Sequence, residues 1–235
     1  MKKNNVLGII QARMGSKRFP GKVLESLAGK PILWHVTERL KQCEKVDSII
    51  IATSKDKCDM EIVNFAKMNG INVYQGDNEN VLKRFEELYF KYLPSIIVRV
   101  CCDAPLIDAK FIDKAVGLLQ SSNKDYCVTI PQKTCYQGMD IISGSGLKKI
   151  LENKEDPVAK EHVTGFIQKE PSLFSLKEIE VNESEIFHGS LAIDTKKDLI
   201  RIEEYHKKLN ASAGSLNVID LVSLLKREDI ANENT

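Results

Sequence analysis

Residues 9–22 read IIQARMGSKRFPGK. A short apolar run ends here, and residues 13–22 then hold four cations, two glycines and a proline. A strand followed by a glycine-rich loop and a helix is the arrangement in which backbone N–H groups face an anion, usually a phosphate. Four cations suit a polyphosphate, although a solvated loop with lysines for solubility is the alternative. The candidate binding residues of this loop are Arg13, Gly15, Ser16, Lys17, Arg18 and Lys22.

Two common phosphate-binding loops do not fit this stretch. A Walker A loop needs GxxxxGK followed by Ser or Thr, whereas the spacing from Gly15 to Gly21 is one residue too long and Val23 follows Lys22. A dinucleotide-binding fingerprint needs GxGxxG, which the sequence does not contain after this strand. The loop is therefore expected to hold a polyphosphate in some other way than kinases and dinucleotide-binding enzymes do.

The charge balance argues against a general nucleic-acid-binding surface. Across 235 residues, 34 basic side chains oppose 33 acidic ones, and the formal net charge is +1. A nucleic-acid footprint needs a basic excess on one face, so the cations of residues 13–22 are expected to serve a small anion. The 43% hydrophobic content allows a substantial core, and no apolar stretch has the length of a transmembrane helix. We expect no nucleic-acid partner and no membrane insertion.

The six cysteines favour a reducing compartment. They form no paired CxxC motifs and stand beside no pair of histidines, so no structural zinc site is expected. The start, MKKNNVLGII, is basic, but its apolar run is too short for a signal peptide. Free thiols without an export signal indicate the cytoplasm. Cys101 and Cys102 are expected to be small buried hydrophobic residues.

Short apolar runs alternate with amphipathic segments along the first 130 residues. This alternation predicts an α/β fold with a mainly parallel sheet and helices on both faces. Gly70 is expected to close one helix, and Asp108 is the expected N-cap of another. The predicted strands cover 6–10, 48–53, 71–75, 95–101 and 125–130, and the predicted helices cover 31–43, 58–70, 78–93 and 108–120.

After residue 131 the pattern loosens, and we predict one domain over residues 1–235 with a small inserted region near 131–185. Residues 157–170 are predicted to form a single helix, and residues 223–235 a polar tail. The remaining predicted elements are helices at 146–153 and 199–209 and a strand at 173–181.

Two aspartates that follow apolar runs are candidates for a metal site. Asp103 ends the run in SIIVRVCCDAPLID, and Asp194 ends the run in HGSLAIDTKKDL, so both are expected at strand ends. A carboxylate on the sheet edge that carries the cationic loop is placed to hold Mg²⁺ against phosphate oxygens. The alternatives are a turn or N-cap role for Asp103 and an N-cap role for Asp194. Together with the basic loop, the pair suits metal-assisted transfer of a nucleotidyl group.

The sequence resembles the CMP-sugar synthetases, most closely the branch similar to the spore-coat polysaccharide protein SpsF. That branch is similar to the cytidylyltransferases for 3-deoxy-manno-octulosonate and acylneuraminate. The resemblance covers about residues 6–202, with Cys102 standing where relatives have glycine. The motifs that carry it are ARMGSKRFPGKVL, VLKRF at 81–85, VRVCCDAPLID, QGMD at 137–140, EHVT at 161–164 and IDTKKDL at 193–199.

The resemblance implies a Rossmann-like nucleotidyltransferase fold that joins CTP to a sugar or sugar acid and releases pyrophosphate. It further implies a homodimer with Mg²⁺ as cofactor. Arg13, Lys22 and Asp103 would carry catalysis, the two cations on the triphosphate and Asp103 with Asp194 on Mg²⁺. The backbone at Gln11 and Ala12 would lie beside the base.

Arg84 matches an arginine that recurs in the family, and the resemblance implies a contact with the nucleotide or the acceptor. The alternative is a salt bridge to Glu87 or Asp77 on the same stretch of chain.

Three further residues are candidates for the acceptor side. Asp140 follows Gly138 and could bind acceptor hydroxyls, or it could be a turn residue. Glu161 and His162 belong to the EHVT match, which favours an acceptor-side role over a purely structural histidine.

Two other functions compete with this interpretation. A glycosyltransferase that uses a nucleotide-sugar could share such a sheet, but it usually shows Asp-x-Asp at a strand end, and CDAP does not supply it. A non-catalytic nucleotide-binding homologue is the second alternative.

Overall fold

A computed structural model describes residues 5–233 of the chain, with side chains up to residue 228. The basic start at residues 1–4 and the last two residues of the predicted tail lie outside the described residues. Within this range, seven strands form one sheet. The strands are β1 (Val6–Gln11), β2 (Ser48–Ser54), β3 (Asn72–Gly76), β4 (Ile96–Cys101), β5 (Tyr126–Ile130), β6 (Met139–Ser143) and β7 (Leu176–Glu180).

The spatial order of the strands is β3-β2-β1-β4-β6-β5-β7. The first four in this order run parallel, which confirms the α/β prediction. β6 runs antiparallel to β4 and was not predicted as a strand. In the described part of the chain, β5 meets β6 at one residue pair, Tyr126 with Ile142, and then pairs in parallel with β7.

Helices cover both faces of the sheet, so the central strands are buried on both sides. The helices are α1 (Ile32–Lys41), α2 (Met60–Met68), α3 (Val81–Tyr92), α4 (Ala109–Gln120), α5 (Gly144–Leu151), α6 (Pro157–His162), α7 (Gly165–Lys169), α8 (Lys196–Lys208) and α9 (Val218–Glu233).

The apolar side chains of the described residues form three clusters. In β1, Val6 and Ile10 face one cluster with α1, α2 and α4, whereas Leu7 and Ile9 face a second with α3 and α5–α7. A third cluster joins α8 and α9 to Leu27.

The predicted helix boundaries in the first half are close to those observed. The Asp108 carboxylate accepts a hydrogen bond from the Phe111 N–H at 2.7 Å, which confirms it as the N-cap of α4. Gly70 has φ +64° just after α2, a left-handed conformation that glycine adopts without strain.

The prediction of one helix over 157–170 was wrong. The chain breaks between α6 and α7 at Val163, whose φ of +50° is unfavourable for a β-branched residue. Val163 is buried in the second apolar cluster, and this packing holds the unfavourable backbone in place. The break leaves Glu161 and His162 exposed at the end of α6.

The prediction of a polar tail at 223–235 was also wrong, because α9 runs from Val218 to Glu233. Val218, Leu221 and Val222 are buried in the third apolar cluster. These apolar residues lie at helical spacing at the start of the helix and anchor its more polar continuation. Among the helices of residues 5–233, none has both the length and the apolar character needed to cross a bilayer.

His35 on α1 is buried in its neutral form. Its Nε2 donates to the Leu27 carbonyl at 2.7 Å, and its Nδ1 accepts from the Gly214 N–H at 3.3 Å. A protonated ring would place a second N–H against the Gly214 donor. Burial, partly countered by the Leu27 hydrogen bond, lowers the pKa of His35 from 6.5 to about 4.

We predict that acidification below about pH 6.5 destabilises the protein through His35. The unfolded chain takes up a proton near pH 6.5, whereas the folded chain resists it until about pH 4. Between these values the free energy of unfolding should fall by about 3 kcal/mol from this residue alone. Denaturant unfolding should show that the free energy of unfolding falls less steeply with decreasing pH over this range in His35→Gln than in the wild type. The control His188→Gln alters an exposed ring. Equal pH dependence in wild type and His35→Gln would contradict the prediction.

Candidate active site

A cavity of about 350 Å³ opens at the carboxyl ends of β1 and β4. It is the place where ligands bind in open α/β sheets, and it brings together most of the site residues predicted from the sequence. The predicted residues that line it are Gln11, Arg13, Ser16, Lys17, Arg18, Lys22, Asp103, Glu161, His162 and Asp194. The predicted residues outside its lining are Ala12, Gly15, Arg84 and Asp140.

A larger cavity of about 530 Å³ lies where β5 and β6 diverge. Its walls include Tyr126, Thr129, Gln137 and Met139, but neither the cationic loop nor the two aspartates. The smaller cavity, which combines cations with carboxylates, is therefore the candidate active site.

The cationic loop is anchored by Asp59, which sequence reasoning missed. One carboxylate oxygen accepts from the Met14 N–H at 2.7 Å, and the other accepts from Thr53 Oγ1 at 2.8 Å and the Ser54 N–H at 3.0 Å. Burial raises the pKa of Asp59, but the hydrogen bonds from Met14, Ser54 and Thr53 outweigh this effect and lower it overall. A charged Asp59 thus ties the loop to the end of β2.

The loop closes on itself around Met14. Its carbonyl accepts from the N–H groups of Ser16 and Gly21, both at 2.9 Å. Gly21 has φ +74°, so glycine is required for the turn that leads into Lys22. Arg13, Lys17 and Arg18 remain exposed. The loop therefore presents three cations to solvent on a fixed backbone.

Lys22 behaves differently from the other cations of the loop. It is 7% exposed, and its ammonium donates to Asp103 Oδ2 at 2.9 Å, the Ile193 carbonyl at 2.9 Å and Asp194 Oδ1 at 3.1 Å. An ammonium has three N–H donors, so these contacts use all of them. Arg18 also contacts Asp194 Oδ1, at 2.8 Å. Lys22 lies between the two predicted metal ligands and holds them together.

The prediction that Asp194 ends a strand was wrong, because residues 188–195 form no strand. The Ile193 N–H instead donates to the Asp103 carbonyl at 2.8 Å, which brings this segment beside the end of β4. Thr195 is the N-cap of α8 and forms a capping box with Asp198. The Asp194 carboxylate is therefore left for the cations of the cavity.

The two adjacent cysteines have different surroundings. Cys102 is buried, as predicted, and its N–H donates to the Gln11 carbonyl at 3.1 Å. Cys101 is partly buried and lines the cavity, so the prediction of burial holds only in part for it. Burial raises the pKa of Cys101 to about 11. The thiol is therefore neutral at physiological pH and unsuited to nucleophilic attack.

Arg84 is fully buried on α3 and lies outside the cavity lining. Its Nε donates to the Asp77 carbonyl at 2.7 Å and its Nη2 to the Asn78 carbonyl at 3.1 Å. The Asp77 carboxylate lies 3.6 Å from Lys83 Nζ. The contact with Asp77 is thus to its backbone and not the salt bridge considered from the sequence. A nucleotide contact by Arg84 stays a prediction.

Asp140 lies in β6 rather than in a turn. Its Oδ2 is 2.6 Å from Arg99 Nη1 and accepts from Thr164 Oγ1 at 2.9 Å, while its Oδ1 accepts from the Tyr126 hydroxyl. These contacts face a buried network next to the cavity, so a direct role toward an acceptor stays a prediction. Arg99, the centre of this network and a wall of the cavity, was missed from the sequence.

The two aspartates fit a divalent cation that is shared with phosphate. Within residues 5–228, no group of three or more acidic, histidine or cysteine side chains could enclose a metal alone. Asp103 and Asp194 converge on one cation, the Lys22 ammonium, and each side chain is about one-third exposed, at 31% and 35%. Mg²⁺ is usually bound by one or two carboxylates together with substrate phosphates and water. The two carboxylates therefore fit a divalent cation that phosphate oxygens help to hold.

Comparison with known proteins decides the family. The sequence model of the family described as Cytidylyltransferase matches residues 7–221. The chain belongs to this family. SpsF of Bacillus subtilis, described as a spore coat polysaccharide biosynthesis protein, is 31% identical over 98% of both chains. The resemblance drawn from the motifs is thereby confirmed, and the protein is an enzyme of the nucleotidyltransferase class.

Two further relatives support the family and the fold. The 3-deoxy-manno-octulosonate cytidylyltransferase of Geobacter sulfurreducens is 36% identical over 49% of this chain and 45% of its own length. The structure of a cytidylyltransferase from Leptospira borgpetersenii superposes with a TM-score of 0.86 over 96% of this chain and 95% of that one, at 28% identity. The nucleotidyltransferase fold of this cytidylyltransferase is thus confirmed.

We predict that Lys22→Met destabilises the fold by about 2 kcal/mol, because two carboxylates then face each other without their shared cation. Denaturant unfolding at pH 7 measures this change. The control Lys17→Met removes an exposed charge and should change stability by less than about 0.5 kcal/mol. Added Mg²⁺ should raise the melting temperature of Lys22→Met more than that of the wild type, because the ion takes the place of the ammonium. Equal stability of Lys22→Met and wild type would contradict the interpretation of the ion pairs.

Proposed function

We propose that this cytidylyltransferase joins CTP to a sugar or sugar acid, releasing pyrophosphate, with Mg²⁺ as cofactor. The observation that carries the proposal is the convergence of Asp103 and Asp194 on Lys22, beside a loop that presents Arg13, Lys17 and Arg18 to one cavity. A triphosphate needs several cations, and a metal–phosphate complex needs carboxylates at the same place. The site supplies both.

The reaction would proceed by in-line attack of an acceptor hydroxyl oxygen on the α-phosphorus of CTP. The new bond joins that oxygen to phosphorus, the bond to the bridging oxygen of the β-phosphate breaks, and pyrophosphate leaves. Arg13, Lys17 and Arg18 would bind the triphosphate and stabilise the charge that develops on pyrophosphate. Mg²⁺, held by Asp103 and Asp194, would supply charge neutralisation at the phosphate oxygens.

Lys22 would change partners within this scheme. Its ammonium and the Arg18 guanidinium together supply two positive charges to the two aspartates. A divalent cation there would release Lys22 and Arg18 toward the phosphates in the same cavity. The catalytic role expected for Lys22 would then follow from its position between the carboxylates and the loop. In both arrangements the two carboxylates face two positive charges.

The acceptor would bind at the end of the cavity formed by Glu161 and His162. Both side chains are exposed at the end of α6, and both can accept the proton that the acceptor hydroxyl loses. The names of the relatives, one in spore coat polysaccharide biosynthesis and one acting on 3-deoxy-manno-octulosonate, support a sugar or sugar-acid acceptor and a role in surface polysaccharide synthesis. A homodimer is part of the same proposal, in line with the family resemblance.

A pyrophosphate-release assay tests the proposal. CTP, UTP, GTP and ATP are each offered with a panel of sugars and acidic sugars, with and without Mg²⁺. We predict Mg²⁺-dependent release with CTP, and a loss of about 10²-fold or more in rate for Asp103→Asn, which removes one charge from the metal site. The control Asp220→Asn alters an exposed residue of α9 and should keep the wild-type rate.

The same assay separates the competing functions. A glycosyltransferase would release no pyrophosphate, and a non-catalytic nucleotide-binding protein would turn over nothing. Near-normal release by Asp103→Asn would contradict the metal assignment, whereas release with another nucleotide would contradict the choice of CTP.

A further inference from the structure

Gln11, the last residue of β1, is hydrogen-bonded to a buried arginine. Its Oε1 accepts from Arg99 Nε at 3.3 Å and from Arg99 Nη2 at 3.0 Å. Arg99 is 8% exposed and lies on β4, where Cys101 is the register partner of Gln11. Both Gln11 and Arg99 line the cavity of the candidate active site.

This contact determines which end of the Gln11 amide faces the cavity. A guanidinium has only N–H donors, so the amide oxygen must point toward Arg99 and the amide nitrogen away from it. Within residues 5–228 the Nε2 donates to no protein group, and it is not among the buried polar atoms that lack a partner. Gln11 therefore offers N–H donors, and no acceptor, to whatever occupies the cavity.

Arg99 is itself held firmly in place. Its Nη1 donates to Asp140 Oδ2 at 2.6 Å and to Thr164 Oγ1 at 3.2 Å, and the Tyr126 hydroxyl donates to the same carboxylate group. Burial acts to lower the pKa of Arg99, but the nearby Cys101 and Asp140 raise it above its ordinary value. The guanidinium is therefore permanently charged, and the Gln11 amide cannot rotate without breaking two charge-assisted hydrogen bonds.

We propose that Gln11 is a nucleoside-binding residue whose side-chain amide donates a hydrogen bond to the bound nucleotide, with Arg99 as its positioning residue. The inference rests on the proposed function. Gln11 stands two residues before Arg13 and lines the same cavity. In the proposed binding mode, with the phosphates on Arg13 and Lys17, the nucleoside would therefore lie against the Gln11 amide. The matching ligand atom is a carbonyl oxygen or an unprotonated ring nitrogen of the base. Because the amide is already oriented, little side-chain freedom is lost on binding.

The test compares calorimetric binding of CTP with binding of inorganic tripolyphosphate, which carries the phosphates and no nucleoside. Gln11→Met keeps the side-chain length and loses the N–H donor. Gln11→Glu keeps oxygen acceptors for Arg99 but also lacks the N–H donor. We expect Gln11→Met to weaken CTP binding about 3- to 10-fold, the usual effect of one hydrogen bond. Gln11→Glu should weaken it further, because it adds a negative charge. Tripolyphosphate binding by Gln11→Met should stay within about twofold of wild type.

Two further variants complete the design. Arg99→Lys keeps the charge but cannot make the paired contact with Oε1, so it should weaken CTP binding in the same direction, with tripolyphosphate binding retained. Gln168→Met and Gln168→Glu change an exposed glutamine outside this cavity and should leave both affinities unchanged. Thermal unfolding of every variant identifies loss of fold.

The outcomes separate this inference from the proposed function. CTP binding by Gln11→Met that equals wild type would overturn the inference, as would an equal loss of CTP and tripolyphosphate binding, since the substitution would then act on the phosphate loop. Wild-type protein that binds CTP but releases no pyrophosphate with any acceptor would overturn the proposed function and leave the role of Gln11 standing. Wild-type protein that binds tripolyphosphate but not CTP would overturn both.

Discussion

The rest of the site depends on the ion pairs of the Lys22 ammonium with Asp103 and Asp194. This ammonium joins three segments that are distant in sequence: its own loop after β1, the turn after β4 at Asp103, and the approach to α8 at Asp194. Two carboxylates this close repel each other in the absence of a cation. The Lys22 ammonium, with Arg18 beside it on Asp194, therefore sets the spacing of the acidic groups and the end point of the loop. The backbone contact with Ile193 fixes that charge from a third direction.

The sheet could be predicted from the sequence because its central strands are buried on both faces. Such strands appear as largely apolar runs, and β1, β2 and β4 have this pattern, with Arg99 as the exception in β4. The cationic loop was equally visible, since its residues are neighbours in the chain. The antiparallel strand β6 was not, because Asp140 and Ser143 interrupt its short apolar stretch and its pairing with β4 depends on distant contacts. Local patterns identify elements but do not give strand direction.

The features missed at the site are polar residues whose partners lie far away in the sequence. Asp59 accepts a hydrogen bond from Met14, 45 positions away in the sequence, and Arg99 donates one to Gln11, 88 positions away. No spacing rule connects such pairs. One signal was nevertheless present: an arginine inside the otherwise apolar strand 95–101 must have buried partners, because a lone buried charge is too costly. Asp194 was identified as a candidate because a carboxylate follows an apolar run there, although that run does not form the predicted strand.

The reversed direction of β6 determines where the connection before it must run. The strand begins at the sheet edge where β1 and β4 end, and the Gly138 carbonyl there accepts from the Cys101 N–H at 2.8 Å. The connection that enters β6, residues 131–138, must therefore reach the edge of the sheet that carries the candidate active site. On the way it is held by the segment before α8: the Cys135 N–H donates to the Glu185 carbonyl at 2.8 Å, and the Leu191 N–H donates to Gln137 Oε1 at 2.9 Å. A change in the length of this connection would shift the segment that leads to Asp194, three residues after Leu191, while the register of the parallel strands stays unchanged. The antiparallel strand thus couples the outer part of the sheet to one of the two carboxylates at Lys22.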